Sequence, residues 1–102
     1  MNLSKRTPYR NPKLLAAAKD QPCMVNGPFC NHDPSTTVFA HLNESWAGKG
    51  YSQKADDFAG FMSCSTCHVW YDSNKIPVPD QWIITRAMYR TWRNLLDREI
   101  IK

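Results

Sequence analysis

The sequence predicts one small α+β domain that is held together by a metal site and ends in an amphipathic helix. Three observations predict it: four cysteines in two separated pairs, two β-branched or aromatic segments between those pairs, and a long stretch of helical periodicity after them. The chain has 102 residues, of which 42% are apolar. These values are typical of a single globular domain.

The composition and charge exclude several classes of protein. No segment approaches the roughly 18 consecutive apolar residues of a membrane span, and the first ten residues lack the apolar core of a secretory signal. We therefore expect a cytoplasmic protein with no membrane partner. Thirteen basic and nine acidic residues give a net charge of +4, which favours a polyanionic partner such as DNA.

The four cysteines predict a structural zinc site. Cys23, Cys30, Cys64 and Cys67 have six, thirty-three and two residues between neighbours. In a reducing cytoplasm, a Cys-x-x-Cys pair with a distant second pair is typical of tetrahedral zinc, with Zn–S distances of about 2.3 Å. Two disulfides or unlinked thiols are the alternatives. His32 could replace one thiolate, although a polar turn residue is the simpler interpretation.

Composition divides the chain into three parts. Residues 1–20 form a basic arm with helix-forming residues at 13–19, and a solvated tail is the default expectation for it. Residues 21–74 hold all the cysteines and histidines and are predicted to be the zinc-bound core. Residues 75–102 are predicted to form a helix that packs on this core.

Two strands, a loop and a helix are predicted within the core. The segments 36–42 and 58–63 are rich in β-branched, aromatic and apolar residues, which favours strands. The intervening residues 43–57 contain glycines and charges and are predicted to be a loop. One or two helical turns follow from residue 67 to about residue 74.

The C-terminal part predicts a long amphipathic helix. Two prolines make residues 73–79 a connector, and Asp80 is predicted to cap a helix over residues 81–100. The predicted apolar face contains Ile84, Met88, Trp92 and Leu95, and the opposite face contains Arg86, Arg90 and Arg93. The arginines form either an ordinary solvated face, which Asp97 dilutes, or a DNA-binding surface that contacts phosphates.

Three residues in the core could together carry out hydrolysis. On a helix, His68 and Asp72 lie four residues apart on one face, where they could bind a divalent cation such as Mg²⁺ or Mn²⁺. His41, at the end of the first strand, could act as a general base beside it. Taken singly, each residue has a simpler interpretation: a structural histidine, or a hydrogen bond on the helix surface.

The combined pattern resembles a known family. The order is Cys23, Cys30, Ala40-His41 and then Cys64-x-x-Cys67-His68-x-x-x-Asp72. It is similar to the HNH, or ββα-metal, nucleases, and more narrowly to the small nuclease family of lambdoid phages and prophages. The resemblance implies a zinc-stapled ββα domain in which His41 is the catalytic base and His68 a ligand of the catalytic metal. Asp72 falls where the family often has a second ligand.

Two positions depart from the family pattern. Many HNH enzymes carry a metal ligand immediately before the base histidine, where this chain has Ala40. They also carry an asparagine about nine residues before the helix histidine, a region that here begins with Asp57. We therefore expect Asp57 to supply the missing metal ligand or the group that orients the base.

The sequence predicts a phage-encoded, metal-dependent endonuclease that hydrolyses DNA in the host cytoplasm. Host or phage recombination proteins are further candidate partners. The main alternative is a non-catalytic zinc-binding module for DNA or protein, which would need neither His41 nor Asp72. A c-type haem protein fits Cys64-x-x-Cys67-His68 formally but leaves Cys23 and Cys30 unexplained. A Cys-x-x-Cys oxidoreductase is disfavoured, because no βαβ pattern surrounds the pair.

Overall fold

Two strands and three α-helices make up the regular structure. The computed structural model describes residues 7–47, 54–73 and 75–101. The start of the predicted arm, the centre of the predicted loop, Asn74 and the last residue lie outside these ranges. The elements are, in order, α1 (Pro12–Ala16), β1 (Val38–His41), β2 (Gly60–Ser63), α2 (Ser65–Asp72) and α3 (Trp82–Asp97). This order confirms the predicted α+β class. None of the helices in the described ranges is long and apolar enough to span a membrane.

The strands β1 and β2 form an antiparallel two-stranded sheet. Phe39 pairs with Met62, and His41 pairs with Gly60. A Cβ atom on Gly60 would lie 2.7 Å from Phe39 Cε1 and closer still to the Ala40 carbonyl oxygen. Glycine is therefore required opposite His41. Both predicted strands are confirmed, but β1 begins later because the residues before it form a 3-10 turn at Pro34–Thr36.

The second strand is buried along its whole length although the sheet has only two strands. Its outer edge is covered on both sides of Met62: Met24 N donates to Met62 O at 3.0 Å, and Met62 N donates to Thr91 Oγ1 at 2.9 Å. These bonds satisfy backbone groups that an exposed edge strand would present to solvent or to another chain.

Helix α2 starts directly after β2, earlier than predicted. Cys64 occupies the N-cap position, with an extended backbone and with its Sγ accepting from Cys67 N at 3.5 Å. The ring of Tyr71 packs edge-on against Phe61 of β2, with centroids 5.0 Å apart. This contact fixes the helix on the sheet and leaves His68 and Asp72 on its outer side.

The predicted apolar face of α3 is confirmed at Leu95 but is wrong by one position at Ile84, Met88 and Trp92. The structure buries Ile83, Ala87, Thr91 and Leu95, whereas Ile84 and Met88 are half-buried and Trp92 is 44% exposed. The physical reason is that α3 approaches β2 closely enough for the Thr91 hydroxyl to bond the strand. Small residues at the contact allow this approach, and a bulky tryptophan would prevent it.

The predicted capping role of Asp80 is also wrong. Asp80 lies in a 3-10 turn at Val78–Asp80, and α3 begins at Trp82 after Gln81, whose side chain makes no capping hydrogen bond. A side-chain N-cap needs an extended backbone. The turn begins at Val78, after Pro77, and already places Asp80 in a helical conformation.

The described part of the N-terminal arm is packed and is not a solvated tail. Helix α1 is shorter than predicted, and Asn11 caps it by accepting from Lys13 N at 3.1 Å. A second small core buries Leu14, Ala17 and Ala18 against Phe39, Met62 and Leu95. The apolar residues of the arm therefore close one end of the sheet.

Replacing Thr91 with valine is expected to destabilise the fold. Thr91→Val keeps the shape of the side chain but leaves Met62 N buried without its acceptor, at a cost of about 1–3 kcal/mol in the free energy of unfolding. Urea titration would measure the loss. Thr85→Val is the matched control on the exposed side of α3 and should change stability little; equal losses in both variants would contradict the assigned role of Thr91.

Candidate active site

The four cysteines form one cluster at the junction of β2 and α2. Their Sγ atoms all lie within 4.8 Å of one another, and those of Cys30 and Cys64 are 3.8 Å apart. Tetrahedral coordination with bonds of about 2.3 Å places sulfurs about 3.8 Å apart. All four are free thiols, so the structure contains neither of the alternative disulfides. The cluster could hold a metal ion, and its donor set is consistent with zinc.

Backbone N–H groups donate to the sulfurs of Cys23 and Cys30, as Cys67 N does to Cys64 Sγ. Asn26 N donates to Cys23 Sγ at 3.5 Å and His32 N donates to Cys30 Sγ at 3.4 Å. Asn26 and His32 have positive φ angles of 50° and 56°, which turn the chain back toward each sulfur. His32 thus contributes its backbone, and its side chain is exposed. These bonds stabilise negative charge on the thiolates that a metal requires.

The thiols titrate unequally. Burial raises the pKa of Cys30 and of Cys67. Burial also acts to raise the pKa of Cys64. Hydrogen bonds, of which the one with Thr66 Oγ1 has the largest effect, outweigh burial and lower this pKa to about 6. Cys64, at the start of α2, is therefore the cysteine at which negative charge is most easily held.

A second group of residues surrounds His41. Its Nε2 lies 2.9 Å from Asp57 Oδ1, and the Asp57 side chain is only 2% exposed. His41 Nδ1 has no hydrogen-bond partner among the described residues. The structure thus places Asp57 against the histidine, in a geometry suited to the orienting role that we considered for it.

The Asp57 carboxylate is itself held by the N-terminal segment. Asn11 N donates to Asp57 Oδ2 at 2.6 Å, and Arg10 Nη1 lies 3.7 Å from Asp57 Oδ1. Asp57 N in turn donates to Tyr9 O at 2.9 Å. The backbone and the carboxylate of Asp57 are therefore both fixed by residues about 46 positions earlier.

The same segment is anchored at further points. Arg10 donates to the carbonyl oxygens of Ala55 at 2.9 Å and Lys54 at 3.1 Å. Tyr9 N donates to the buried Asp56 at 3.0 Å. The sequence analysis missed residues 9–11, because it assigned them to a solvated arm. The only signal for them was Pro8 and Pro12, which restrict the backbone of the segment.

The surroundings of Asp57 lower its pKa. Burial is the largest single influence and raises the pKa, but the hydrogen bonds from His41 and Asn11 N and the charges of His41 and Arg10 together outweigh it. The carboxylate form is therefore favoured in the folded protein.

His68 and Asp72 form a separate, more exposed pair on α2. His68 Nε2 lies 3.3 Å from Asp72 Oδ2, and the two side chains are 36% and 52% exposed. Asn43 Nδ2 donates to Asp72 Oδ1 at 3.2 Å. The predicted spacing thus brings the two residues together on one face of the helix.

The predicted catalytic metal site contains fewer ligands than the zinc site. Within the described ranges, only the four cysteines bring three or more candidate ligand atoms together. Asp57 therefore does not join His68 and Asp72 in such a group. Ala40 is 1% exposed within β1 and offers no ligand.

The three arginines of α3 have different surroundings. Arg86 donates to Val25 O at 2.9 Å and stacks over Trp82, with Cζ 4.8 Å from the ring centroid. Arg93 pairs with Asp97 at 2.8 Å on the exposed surface. Arg90 is half-buried. Arg86 is thus held by contacts within the protein, and DNA binding by the three arginines stays a prediction.

Comparison with known proteins identifies the family. A family model described as "Putative nuclease YbcO" matches residues 12–98. The chain belongs to this family. A solved structure, "Structure of a putative bacteriophage protein from Escherichia coli str. K-12 substr. MG1655", is 26% identical, with a TM-score of 0.65. The match covers 83% of this chain and 98% of that chain. No curated protein matches. The prediction that the chain belongs to a nuclease family and has a phage relative is thus confirmed.

Removing metal is expected to unfold the protein. We expect about one zinc ion per chain to co-purify, since four thiolates bind zinc tightly and this binding contributes to folding. Elemental analysis would count the metal, and circular dichroism would follow unfolding on chelation. Cys64→Ser should lose the zinc, whereas His32→Ala should retain it. Loss of zinc from His32→Ala would show that the ring, and not only four sulfurs, binds the metal.

Acid is expected to remove the stabilisation that Asp57 provides. Because the folded-state pKa is lowered, this stabilisation is present above the ordinary carboxyl value of 3.8 and is lost as the pH falls through the lower folded-state pKa. Asp57→Asn should be less stable at neutral pH and should lose less further stability on acidification. Urea titrations between neutral pH and pH 3 would measure this difference. Asp97→Asn, on the surface, should follow the wild type; a wild-type pH profile for Asp57→Asn would contradict the assignment.

Proposed function

We propose that the protein is a metal-dependent endonuclease of the HNH type that hydrolyses DNA phosphodiester bonds with His41 as general base. The observation that carries this proposal is the 2.9 Å contact between His41 Nε2 and the buried carboxylate of Asp57. An anionic partner that is buried and held by other residues is the usual means of orienting a catalytic histidine. The family description, that of a nuclease, supports the same reaction class.

The tautomer of His41 follows from this contact. A carboxylate accepts the proton on Nε2, so Nδ1 carries the lone pair that can accept a proton from water. The water oxygen then forms a bond to phosphorus while the bond from phosphorus to the 3′ oxygen breaks. The products would carry 5′-phosphate and 3′-hydroxyl ends. Asp57 stabilises the imidazolium that forms when Nδ1 takes the proton.

The metal-binding residues have two different proposed roles. His68 and Asp72 would hold a divalent cation, probed as Mg²⁺ or Mn²⁺, which would neutralise charge on the phosphate and on the leaving oxygen. The zinc held by the four cysteines would have a structural role. Because Cys67 immediately precedes His68, that site fixes the start of α2 and thereby the position of His68.

The arrangement of elements supports the HNH type. Two antiparallel strands are followed directly by α2, with His41 at the end of β1 and His68 on the helix. This order corresponds to the ββα unit of the resemblance. Asp57 takes the orienting role for which many of those enzymes use asparagine. We propose that Arg90 and Arg93 on α3 contact DNA phosphates, with Arg86 supporting the helix that carries them.

The second candidate function is a non-catalytic zinc-binding module for DNA or protein. The observation that favours it is the small ligand set on α2, where His68 and Asp72 have no third ligand within the described ranges. Such a module would need the cysteine cluster and the basic surface, and the His41–Asp57 pair would have only a structural role.

Replacing His41 separates these two functions. His41→Ala is expected to keep its zinc and its fold but to lower the rate of plasmid nicking by roughly 10²- to 10⁴-fold, because the general base is lost. Asp57→Asn should reduce the rate less, since an amide can still orient the ring but cannot stabilise the imidazolium. Nicking of supercoiled plasmid with added Mg²⁺ or Mn²⁺ would measure both rates.

His32→Ala is the control, because it removes an exposed histidine outside the His41 group. It should nick plasmid at the wild-type rate. If wild-type protein with its zinc bound leaves plasmid intact with every divalent cation tried, the binding module replaces the nuclease. If His41→Ala nicks as fast as wild type, another group acts as the base.

A further inference from the structure

A cavity lies between the segment that follows β1 and the helices α2 and α3. It has a volume of about 400 Å³, within the range of small-molecule sites. Its apolar walls include Trp46, Tyr71, Ile84 and Met88, and its polar lining includes Asn43, Glu44, Gln81 and Thr85. The proposed reaction uses none of these side chains.

Asn43 lines the cavity and also contacts the candidate active site. Asn43 N donates to Tyr71 Oη at 2.8 Å, and Asn43 Nδ2 donates to Asp72 Oδ1 at 3.2 Å. One side of this residue thus faces the cavity and the other contacts a proposed metal ligand. A nucleotide whose phosphate lies at Asp72 would have its base within reach of the cavity.

The charges of the lining exclude a phosphate from the cavity itself. Among the described residues the lining contains no lysine or arginine, and it contains the carboxylate of Glu44. The Glu44 carboxylate repels anions, so the lining suits a neutral ring that carries hydrogen-bond donors.

The shape of the lining favours a flat aromatic ligand. Trp46 is 71% exposed at the edge of the cavity, and an indole ring displayed in this way is a stacking surface for a nucleobase. Amide, hydroxyl and carboxylate groups from Gln81, Thr85 and Glu44 can bond the polar edge of that base.

We propose that this cavity binds an unpaired nucleobase next to the cleaved phosphate, so that the substrate class is DNA with unpaired nucleotides. The assignment of a substrate class rests on the proposed nuclease function. A base inside a duplex is stacked and paired and cannot reach a cavity behind Asn43, whereas a bulged or single-stranded base can enter at little cost. Stacking on Trp46 then selects unpaired DNA.

The test uses 2-aminopurine, a base analogue whose fluorescence is quenched when it stacks on an aromatic ring. The zinc-loaded protein is titrated into two duplexes, one with 2-aminopurine in a single-nucleotide bulge and one with it paired, without added divalent cation. Quenching is expected for the bulged probe only. Trp46→Ala should raise Kd for that probe roughly 5- to 100-fold, the usual effect of losing one stacked base, and Trp46→Phe should restore most of the affinity.

Tyr89→Ala is the matched control, because Tyr89 is 69% exposed on α3 and does not line the cavity. It should bind the bulged probe with wild-type affinity. In nicking assays, Trp46→Ala should raise KM for bulged DNA and leave kcat nearly unchanged. A structural role for Trp46 would instead lower zinc content or thermal stability.

The outcomes distinguish this proposal from the nuclease proposal. Trp46-dependent quenching in a protein that cuts nothing supports the base site and overturns only the nuclease. Equal quenching of bulged and paired probes in an active nuclease overturns the base site. The base site is also overturned if Trp46→Ala binds the bulged probe normally but abolishes self-association in light scattering, since the cavity is then a contact between copies of this chain.

Discussion

The clustering of four sulfurs in a small domain is the constraint on which the rest of the structure depends. Between α1 and β1 the described chain has only a short 3-10 turn, so Cys23 and Cys30 lie on a segment with little regular structure. Their approach to Cys64 and Cys67 attaches this segment to the start of α2. Four thiolates within 4.8 Å would repel one another strongly, and a bound cation removes that repulsion.

The second constraint is the burial of Asp57, which joins the N-terminal segment to the end of β1. A buried carboxylate is costly unless hydrogen bonds and opposite charges compensate it. Here Asn11 N and His41 Nε2 supply the bonds, and Arg10 supplies a positive charge at 3.7 Å. The position of the histidine therefore depends on residues that a truncation of the arm would remove.

Features set by local spacing could be predicted from the sequence. The two strands follow from β-branched and aromatic runs, and the His68–Asp72 pair follows from the helical repeat. The buried face of α3 could not be predicted, because it depends on how closely the helix approaches Met62. The docking of Tyr9–Asn11 on Asp57 could not be predicted either. It joins residues about 46 positions apart, and no local periodicity records such a contact.

The two carboxylates of the candidate site differ in environment, and their proposed roles follow from that difference. Asp57 is 2% exposed and its oxygens already accept hydrogen bonds, so it is fixed in place and suited to orienting a neighbouring ring. Asp72 is 52% exposed, so a cation from solvent can reach its carboxylate. Similar pairs of carboxyl groups acquire different functions in enzymes through burial alone. The proposed roles of the two histidines differ in the same way: the base is proposed at His41, which is half-buried beside Asp57, and the cation at His68, which is more exposed beside Asp72.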